Sequence, residues 1–163
     1  MRTKLGCILA TSAIATFATM GTAHAALLVS GSVGGAPSGV ILDNLNWLSA
    51  GPAGGLSPQS GMTVNFAGNA KAVTGNVGGQ YAAPFLSGGN GAGFGSPNQA
   101  NGVDATIYAS TGSTGVFSNA AVEILLPGSS GYGYFGLLWG SVDNYNTLSF
   151  YDGTTLVGSL TGS

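Results

Sequence analysis

The chain has few of the residues on which most catalytic and metal sites depend. It contains one cysteine, one histidine and three Lys or Arg in 163 residues, and most of these lie in the first 25: Arg2, Lys4, Cys7 and His24. After position 25, Lys71 is the only basic residue, against five acidic ones. Thiolate nucleophiles, Cys/His zinc sites, His-based triads and internal disulfides are therefore excluded from that region. A single lysine also excludes nucleic acid as a partner, because counterion release needs many basic side chains.

The first 25 residues have the features of a secretory signal peptide. Two basic residues precede an apolar stretch over 5–20, and Ala23-His24-Ala25 places small residues where signal peptidase requires them. The stretch is shorter than the roughly 20 apolar residues that span a bilayer. We therefore expect export, with signal peptidase cleaving between Ala25 and Ala26.

The remaining chain, 26–163, is rich in glycine and poor in helix-forming residues. Glycine supplies 30 of the 163 residues, against a usual share of about 7%, and it costs a helix interior about 1 kcal/mol per residue. Disordered chains are usually charged and poor in apolar residues, whereas this chain is 44% hydrophobic and 5% charged. We expect one all-β domain over 26–163, an antiparallel β-sandwich or jelly-roll-like fold.

Short β-prone runs alternate with clusters of Gly, Asn, Ser and Pro, the pattern typical of such folds. The predicted strands lie at 27–30, 40–48, 62–66, 71–74, 105–109, 121–126, 132–139, 147–151 and 155–160. Asp152-Gly153 separates the last two and predicts a hairpin with a type I′ turn. Val122, Ile124 and Leu126 alternate along their strand, which predicts a core-facing side.

The sequence predicts a loop at its glycine-rich segment and an incomplete sheet at the C-terminal end of the chain. Between Leu86 and Gly102 apolar residues are too few to order the chain by burial. Two interpretations of this long loop stay open, a flexible surface insertion and a binding loop. The last predicted strand ends just before Ser163, so we expect the sheet to be incomplete there, as in a fragment of a longer chain.

Three segments carry a family resemblance: 79–88 reads GQYAAPFLSG, 101–104 reads NGVD, and 134–151 reads YFGLLWGSVDNYNTLSFY. They resemble the exosortase-dependent surface proteins of bacteria, the PEP-CTERM group. The resemblance implies a non-catalytic cell-surface or extracellular-matrix protein, associated with exopolysaccharide, biofilm and floc formation. Members end in a Val-Pro-Glu-Pro-like motif, a transmembrane stretch and an arginine-rich tail, and this sequence has none of the three. An exosortase would be a partner only of a chain that carries them.

The strongest candidate for a binding site runs from Trp139 to Asn146. An aromatic residue is followed there by Asp143, Asn144 and Tyr145, and sugars are commonly bound by an aromatic face with amide and carboxylate hydrogen bonds around it. This segment would let a carbohydrate-binding module recognise one glycan, which is the alternative to a general surface protein. The structural interpretation makes Trp139 and Tyr145 core or edge aromatics and Asp143-Asn144 a turn.

The other charged residues suggest a calcium site or a glycosidase site, but no sequence motif supports either. Asp104, Asp143 and Asp152 are suitable oxygen ligands for a structural calcium ion, but no Asp-x-Asp-x-Asp-Gly spacing occurs. Glycosidases need two carboxylates about 5 to 10 Å apart, and Glu123 lies in an alternating strand with no marked partner. We therefore expect no enzymatic activity and no required cofactor. Lys71 is interpreted as an exposed strand residue that discourages edge-to-edge pairing.

Overall fold

The computed structural model describes residues 27–31, 37–87, 99–112, 120–140 and 142–162, and its regular structure is all β. These ranges contain nine strands and no helix: β1 (Gly55–Leu56), β2 (Thr63–Ala67), β3 (Lys71–Val73), β4 (Phe85–Leu86), β5 (Gly102–Val103), β6 (Tyr108–Ser110), β7 (Ala121–Leu125), β8 (Thr147–Asp152) and β9 (Thr155–Thr161). Every strand pairing is antiparallel. The all-β, antiparallel prediction is confirmed. The predicted cleavage site at Ala25 and Ala26 lies outside the described residues.

Of the sheets in the described ranges, the one with the most strands has the order β1-β2-β7. Val64 pairs with Ile124 and Phe66 pairs with Val122, which puts apolar side chains of both strands on one side. Val64 is fully buried. The predicted core-facing side of β7 is therefore confirmed at Val122 and Ile124, whereas Leu126 lies beyond the strand and is 36% exposed.

The hydrophobic core joins this sheet to the β3–β6 pair. Its buried members are Leu48, Met62, Val64 and Ala72, with partly buried apolar side chains packed around them: Leu45, Trp47, Phe66, Ile107, Val122 and Ile124. Ala72 lies in β3, and Ile107 directly precedes β6. Gly51 also pairs with Ala72, because each amide donates to the other's carbonyl at 2.9 Å. β3 is therefore hydrogen-bonded on both sides, to β6 and to Gly51.

The ends of the glycine-rich segment form a small sheet that the sequence did not predict. Phe85 pairs with Val103 and Leu86 with Gly102, so β4 and β5 close the segment at its base. Leu86 is fully buried, and the Asp104 amide donates to the Pro84 carbonyl at 2.9 Å. Residues 88–98, the centre of this segment, lie outside the described residues.

The predicted hairpin is confirmed, but its predicted turn is wrong. Asp152 pairs with Thr155, so the two turn residues are Gly153 and Thr154 rather than Asp152 and Gly153. Gly153 has φ +59°, and among the described non-glycine residues only Leu45 has a positive φ. A single positive φ, at the first turn position, is the type II′ pattern. Glycine takes that conformation without the steric cost that a side chain would impose.

Three predicted strands, at 27–30, 40–48 and 132–139, are not strands in the structure. In 40–48 the side chains of Asp43 and Asn44 accept hydrogen bonds from the Leu45 and Asn46 amides, and such local bonds compete with a strand ladder. Leu45 has φ +62°, which also interrupts an extended strand. In 132–139 Gly133 and Gly136 interrupt the aromatic and apolar residues, and glycine weakens a strand interior. In the described part of the chain no helix is long and apolar enough to cross a membrane.

Gly54→Ala tests the close approach between the residue before β1 and strand β2. A Cβ at Gly54 would lie 1.9 Å from the Val64 carbonyl oxygen, so backbone must move. We expect the unfolding free energy to fall by about 1–3 kcal/mol, measured as a lower urea midpoint. Gly78→Ala is the matched control, since a Cβ there meets nothing within 4 Å. Equal midpoints for both variants would contradict this packing.

Candidate functional site

The segment predicted to bind sugars contains a surface turn that leads into β8. The Asn146 amide donates to the Asp143 carbonyl at 2.9 Å, and the Gly162 amide donates to the Asn146 carbonyl at 3.1 Å. The end of β9 therefore holds the turn in place. The predicted turn at Asp143-Asn144 forms one position later, with Asn144 and Tyr145 as its central residues. The strand expected before it at 132–139 does not form.

Tyr145 is the exposed aromatic residue of this turn. The residue is 71% exposed, and its hydroxyl donates to Asp143 Oδ2 at 2.8 Å. This hydrogen bond raises the pKa of Tyr145. Asn144 beside it is exposed, whereas Trp139 is half-buried and, among the described rings, forms no ring contact with Tyr145. The structure thus brings Asp143, Asn144 and Tyr145 together at one turn, and Trp139 is not among the described ring partners of Tyr145.

The three aspartates considered for calcium do not form one site. Asp104 is 6% exposed, and its Oδ1 accepts hydrogen bonds from the Thr106 amide at 2.8 Å and the Thr106 hydroxyl at 2.7 Å. Asp143 accepts from Tyr145, and Asp152 lies exposed at the end of β8. Across the described ranges, no three Asp, Glu, His or Cys side chains are grouped as metal ligands.

Glu123 is engaged across the β2–β7 pair. Its Oε2 accepts a hydrogen bond from Asn65 Nδ2 at 2.9 Å, and the two residues are register partners. Both side chains are exposed. A cross-strand polar pair of this kind stabilises a sheet modestly, and it gives Glu123 a structural role on the solvent side of β7.

The most extensively hydrogen-bonded carboxylate is Asp43, which sequence reasoning missed. Its Oδ1 accepts from the Leu45 amide at 2.9 Å and from Trp47 Nε1 at 3.0 Å. Its Oδ2 accepts from the Ser57 hydroxyl at 2.5 Å and the Ser60 hydroxyl at 2.7 Å. Burial alone would raise the pKa of Asp43, but these four hydrogen bonds outweigh it and lower the pKa below its usual 3.8.

The serines that bind Asp43 also shape the turn between β1 and β2. Ser57 Oγ accepts hydrogen bonds from the Gln59 and Ser60 amides, both at 3.1 Å, and Ser60 Oγ accepts from the Met62 amide at 3.3 Å. The spacing Ser57-x-x-Ser60 is a local sign of such a turn. No local pattern joins it to Asp43, because the partners lie 14 and 17 residues apart.

Lys71 lies over an aromatic ring. Its Nζ is 5.7 Å from the ring centroid of Tyr81, a cation–π contact. Tyr81 in turn meets Tyr108 edge to face at 6.4 Å. The structure differs from the interpretation of Lys71 as an exposed edge residue in two respects. Lys71 is half-buried, and its neighbour Ala72 forms an isolated bridge with Gly51 beside the β3–β6 pair.

Tyr108 fixes this aromatic pair to the neighbouring loop. It is 8% exposed, and its hydroxyl donates to the Gly75 carbonyl at 2.6 Å. Burial raises the pKa of Tyr108 to about 12, assisted by the nearby Tyr81 and Asp104. Tyr108 is therefore a neutral hydrogen-bond donor at any physiological pH.

Comparison with known proteins identifies no relative. No protein-family profile, curated protein or solved structure matches this chain. The resemblance to the exosortase-dependent group therefore stays a hypothesis that rests on its three segments, and function is argued from the described contacts.

Asp43→Asn tests the carboxylate network through its pH dependence. The folded-state pKa of Asp43 is lowered, so its contribution to stability is present above the unfolded value of about 3.9 and is lost as pH falls through the folded pKa. We expect the variant to be less stable by about 1.5–3 kcal/mol at pH 6, with the difference shrinking towards pH 3 in urea titrations.

Asp152→Asn is the control for this experiment, because it makes the same chemical change at an exposed position. We expect its unfolding free energy to stay within about 0.5 kcal/mol of wild type. A difference between wild type and Asp43→Asn that is constant from pH 6 to pH 3 would contradict the lowered pKa.

Proposed function

We propose that this protein is exported and acts, without catalysis, at the cell surface or in the extracellular matrix, where it contacts exopolysaccharide. The observation that best supports a non-catalytic role is how the carboxylates are used. Four of them accept hydrogen bonds from neutral donors: Asp43, Asp104, Glu123 and Asp143. The fifth, Asp152, lies exposed at the hairpin. Glycoside hydrolysis needs an acid and a base or nucleophile held as a pair, and each of these contacts instead has a structural explanation.

A β-sandwich or jelly-roll arrangement is part of this proposal. The core takes Val64, Phe66 and Val122 from the three-stranded sheet and Ala72 from β3, which belongs to a second sheet. A core built from inward-facing side chains of two sheets is what a sandwich requires. Such a framework would display loops and turns rich in Ser, Thr, Asn and Gly to a polysaccharide.

Export and surface location rest on the signal sequence and on the family resemblance. The basic start, apolar stretch and Ala23-His24-Ala25 supply the features that signal peptidase reads. The resemblance to exosortase-dependent proteins adds the association with biofilm and exopolysaccharide. The low content of charged residues, 5%, suits weak contacts with many uncharged sugar hydroxyls.

The cleavage site is tested by a pair of substitutions. In a bacterial host, the mass of the exported protein is expected to place its N-terminus at Ala26. Ala25→Asp is expected to block processing, whereas His24→Asp is expected to be processed normally, because the site requires small residues only on either side of that position. Recovery of wild-type protein from the cytoplasm with Met1 or Arg2 as its first residue would contradict export.

A carbohydrate-binding module is the second candidate, and the geometry of Tyr145 favours it. The residue is 71% exposed, while the hydrogen bond from its hydroxyl to Asp143 restricts the orientation of the ring. Asn144 adds an exposed amide at the same turn. An oriented aromatic face with polar neighbours is a suitable platform for a sugar ring, and Tyr145 rather than Trp139 would be its centre.

Tyr145→Ala separates specific glycan recognition from general adhesion. If the turn is a binding site, we expect affinity for the preferred polysaccharide to fall about tenfold, since aromatic contacts contribute about 0.5–1.5 kcal/mol beyond buried area. Tyr151→Ala is the matched control, because Tyr151 is also exposed, at 63%. Titration calorimetry against a panel of polysaccharides measures both. Equal affinities for both variants and wild type would exclude recognition through Tyr145.

A further inference from the structure

We propose that the surface around Lys71 is a second binding site, which takes the carboxylate of an acidic sugar unit. The inference rests on the proposed function in taking polysaccharide as the ligand, and it adds the charge class of that polysaccharide. The site involves different residues from the Tyr145 turn. Its elements are a lone cation, an aromatic ring beneath it and two open clefts that Lys71 lines.

The charge of Lys71 is not neutralised by the described part of the chain. Lys71 is the only basic residue after position 25, and its described interaction is the contact with the Tyr81 ring. Within the described ranges no carboxylate forms an ion pair with it. An ammonium group carries three N–H donors. The face of the Tyr81 ring attracts the positive charge of Lys71 but accepts few hydrogen bonds. The N–H donors of the ammonium group can therefore bind an oxygen atom of an external ligand.

The ring beneath Lys71 is held firmly. The Val77 amide donates to the Tyr81 carbonyl at 2.9 Å, and the Tyr81 amide donates back to Val77 at 3.0 Å. Tyr108 packs edge-on against the Tyr81 ring, and its own hydroxyl is bound to Gly75. The cation therefore sits on a preorganised platform, which reduces the entropy lost on binding.

Two clefts meet at Lys71, which lines both of them. One has a volume of about 220 Å³, and Asn69 and Gln80 are among its lining residues. The other has a volume of about 350 Å³ and offers Thr74 and Tyr81. These volumes lie at or below the lower end of small-molecule pockets, roughly 300–1,000 Å³. They suit single sugar units, and two clefts beside one cation suit consecutive units of a polymer.

The chemistry of the lining suits a carboxylate better than a phosphate group. Phosphate is usually bound by several cations or by the bidentate fork of arginine, and this surface offers one lysine. A carboxylate carries a single negative charge, which one ammonium group matches. Amide and hydroxyl groups nearby provide the donors and acceptors that sugar hydroxyls require. An acidic sugar in a polysaccharide carries both a carboxylate for the ammonium group and hydroxyls for the neighbouring polar groups.

The test compares two forms of one polymer, polygalacturonate and its fully methyl-esterified form, which differ in carboxylate charge. We expect the purified protein to bind polygalacturonate at about 0.1 M salt, which screens the repulsion between the polymer and the protein's carboxylates, and we expect Lys71→Gln to weaken that binding about tenfold. Lys71→Arg, which keeps the charge, is expected to stay within about threefold of wild type. Binding of the ester is expected to be the same in wild type and Lys71→Gln. Equal urea midpoints confirm that the variants fold.

The outcomes separate this site from the general function. If Lys71→Gln binds polygalacturonate as tightly as wild type, the Lys71 site is wrong, while binding of both polymers would still support polysaccharide contact. If wild type binds neither these polymers nor any other polysaccharide of the panel, the proposed function fails as well. An equal loss of affinity for both polymers in Lys71→Gln would show that its charge is not what the ligand recognises.

Discussion

Asp43 joins two parts of the chain that share no strand. Its carboxylate accepts hydrogen bonds from the Leu45 amide and Trp47 on one side and from Ser57 and Ser60 on the other. Leu48 and Met62, which follow these two groups in sequence, are both buried in the core. Trp47 also covers Gly55, where a Cβ would lie 3.1 Å from the indole ring. The region after residue 25 has no cysteine. The hydrogen bonds of Asp43 therefore link two distant parts of the chain, as disulfides do in many small secreted domains.

Other carboxylates of the molecule are also hydrogen-bonded to neutral side chains, and this pattern connects the stability of the fold to the proposed function. Charge-assisted hydrogen bonds are stronger than neutral ones, so pairing carboxylates with serine, threonine, asparagine and tyrosine stabilises local structure without any basic residue. Lys71 is then left for the Tyr81 ring instead of an ion pair. A protein arranged in this way has few groups suited to acid–base chemistry. It has many surface hydroxyls and amides, together with exposed tyrosines, that suit contact with sugars.

Sequence patterns predicted the elements with clear two-residue periodicity and missed those that depend on distant contacts. Strands β2, β3, β7, β8 and β9 lie close to their predicted positions. The sequence of each either alternates between apolar and polar residues or is bounded by turn residues. β1, β4 and β5 are two residues long, too short to carry a pattern. The segment 40–48 contains β-prone residues, but Asp43 binds serines 14 and 17 residues away, which no local rule detects. Likewise the turn at Asp143 was recognised, whereas the exposure of Tyr145 and the position of Lys71 over Tyr81 depend on tertiary packing.

The most direct measurement is an NMR titration of the Asp43 side-chain carboxyl carbon in the folded protein. Four hydrogen bonds to the ionised form predict a titration midpoint for Asp43 below 3.8, accompanied by a change in the Trp47 indole N–H resonance over the same pH range. A midpoint at or above 3.8, or an indole resonance that does not follow it, would mean that burial outweighs the hydrogen bonds and that Asp43 does not hold these two parts of the chain together.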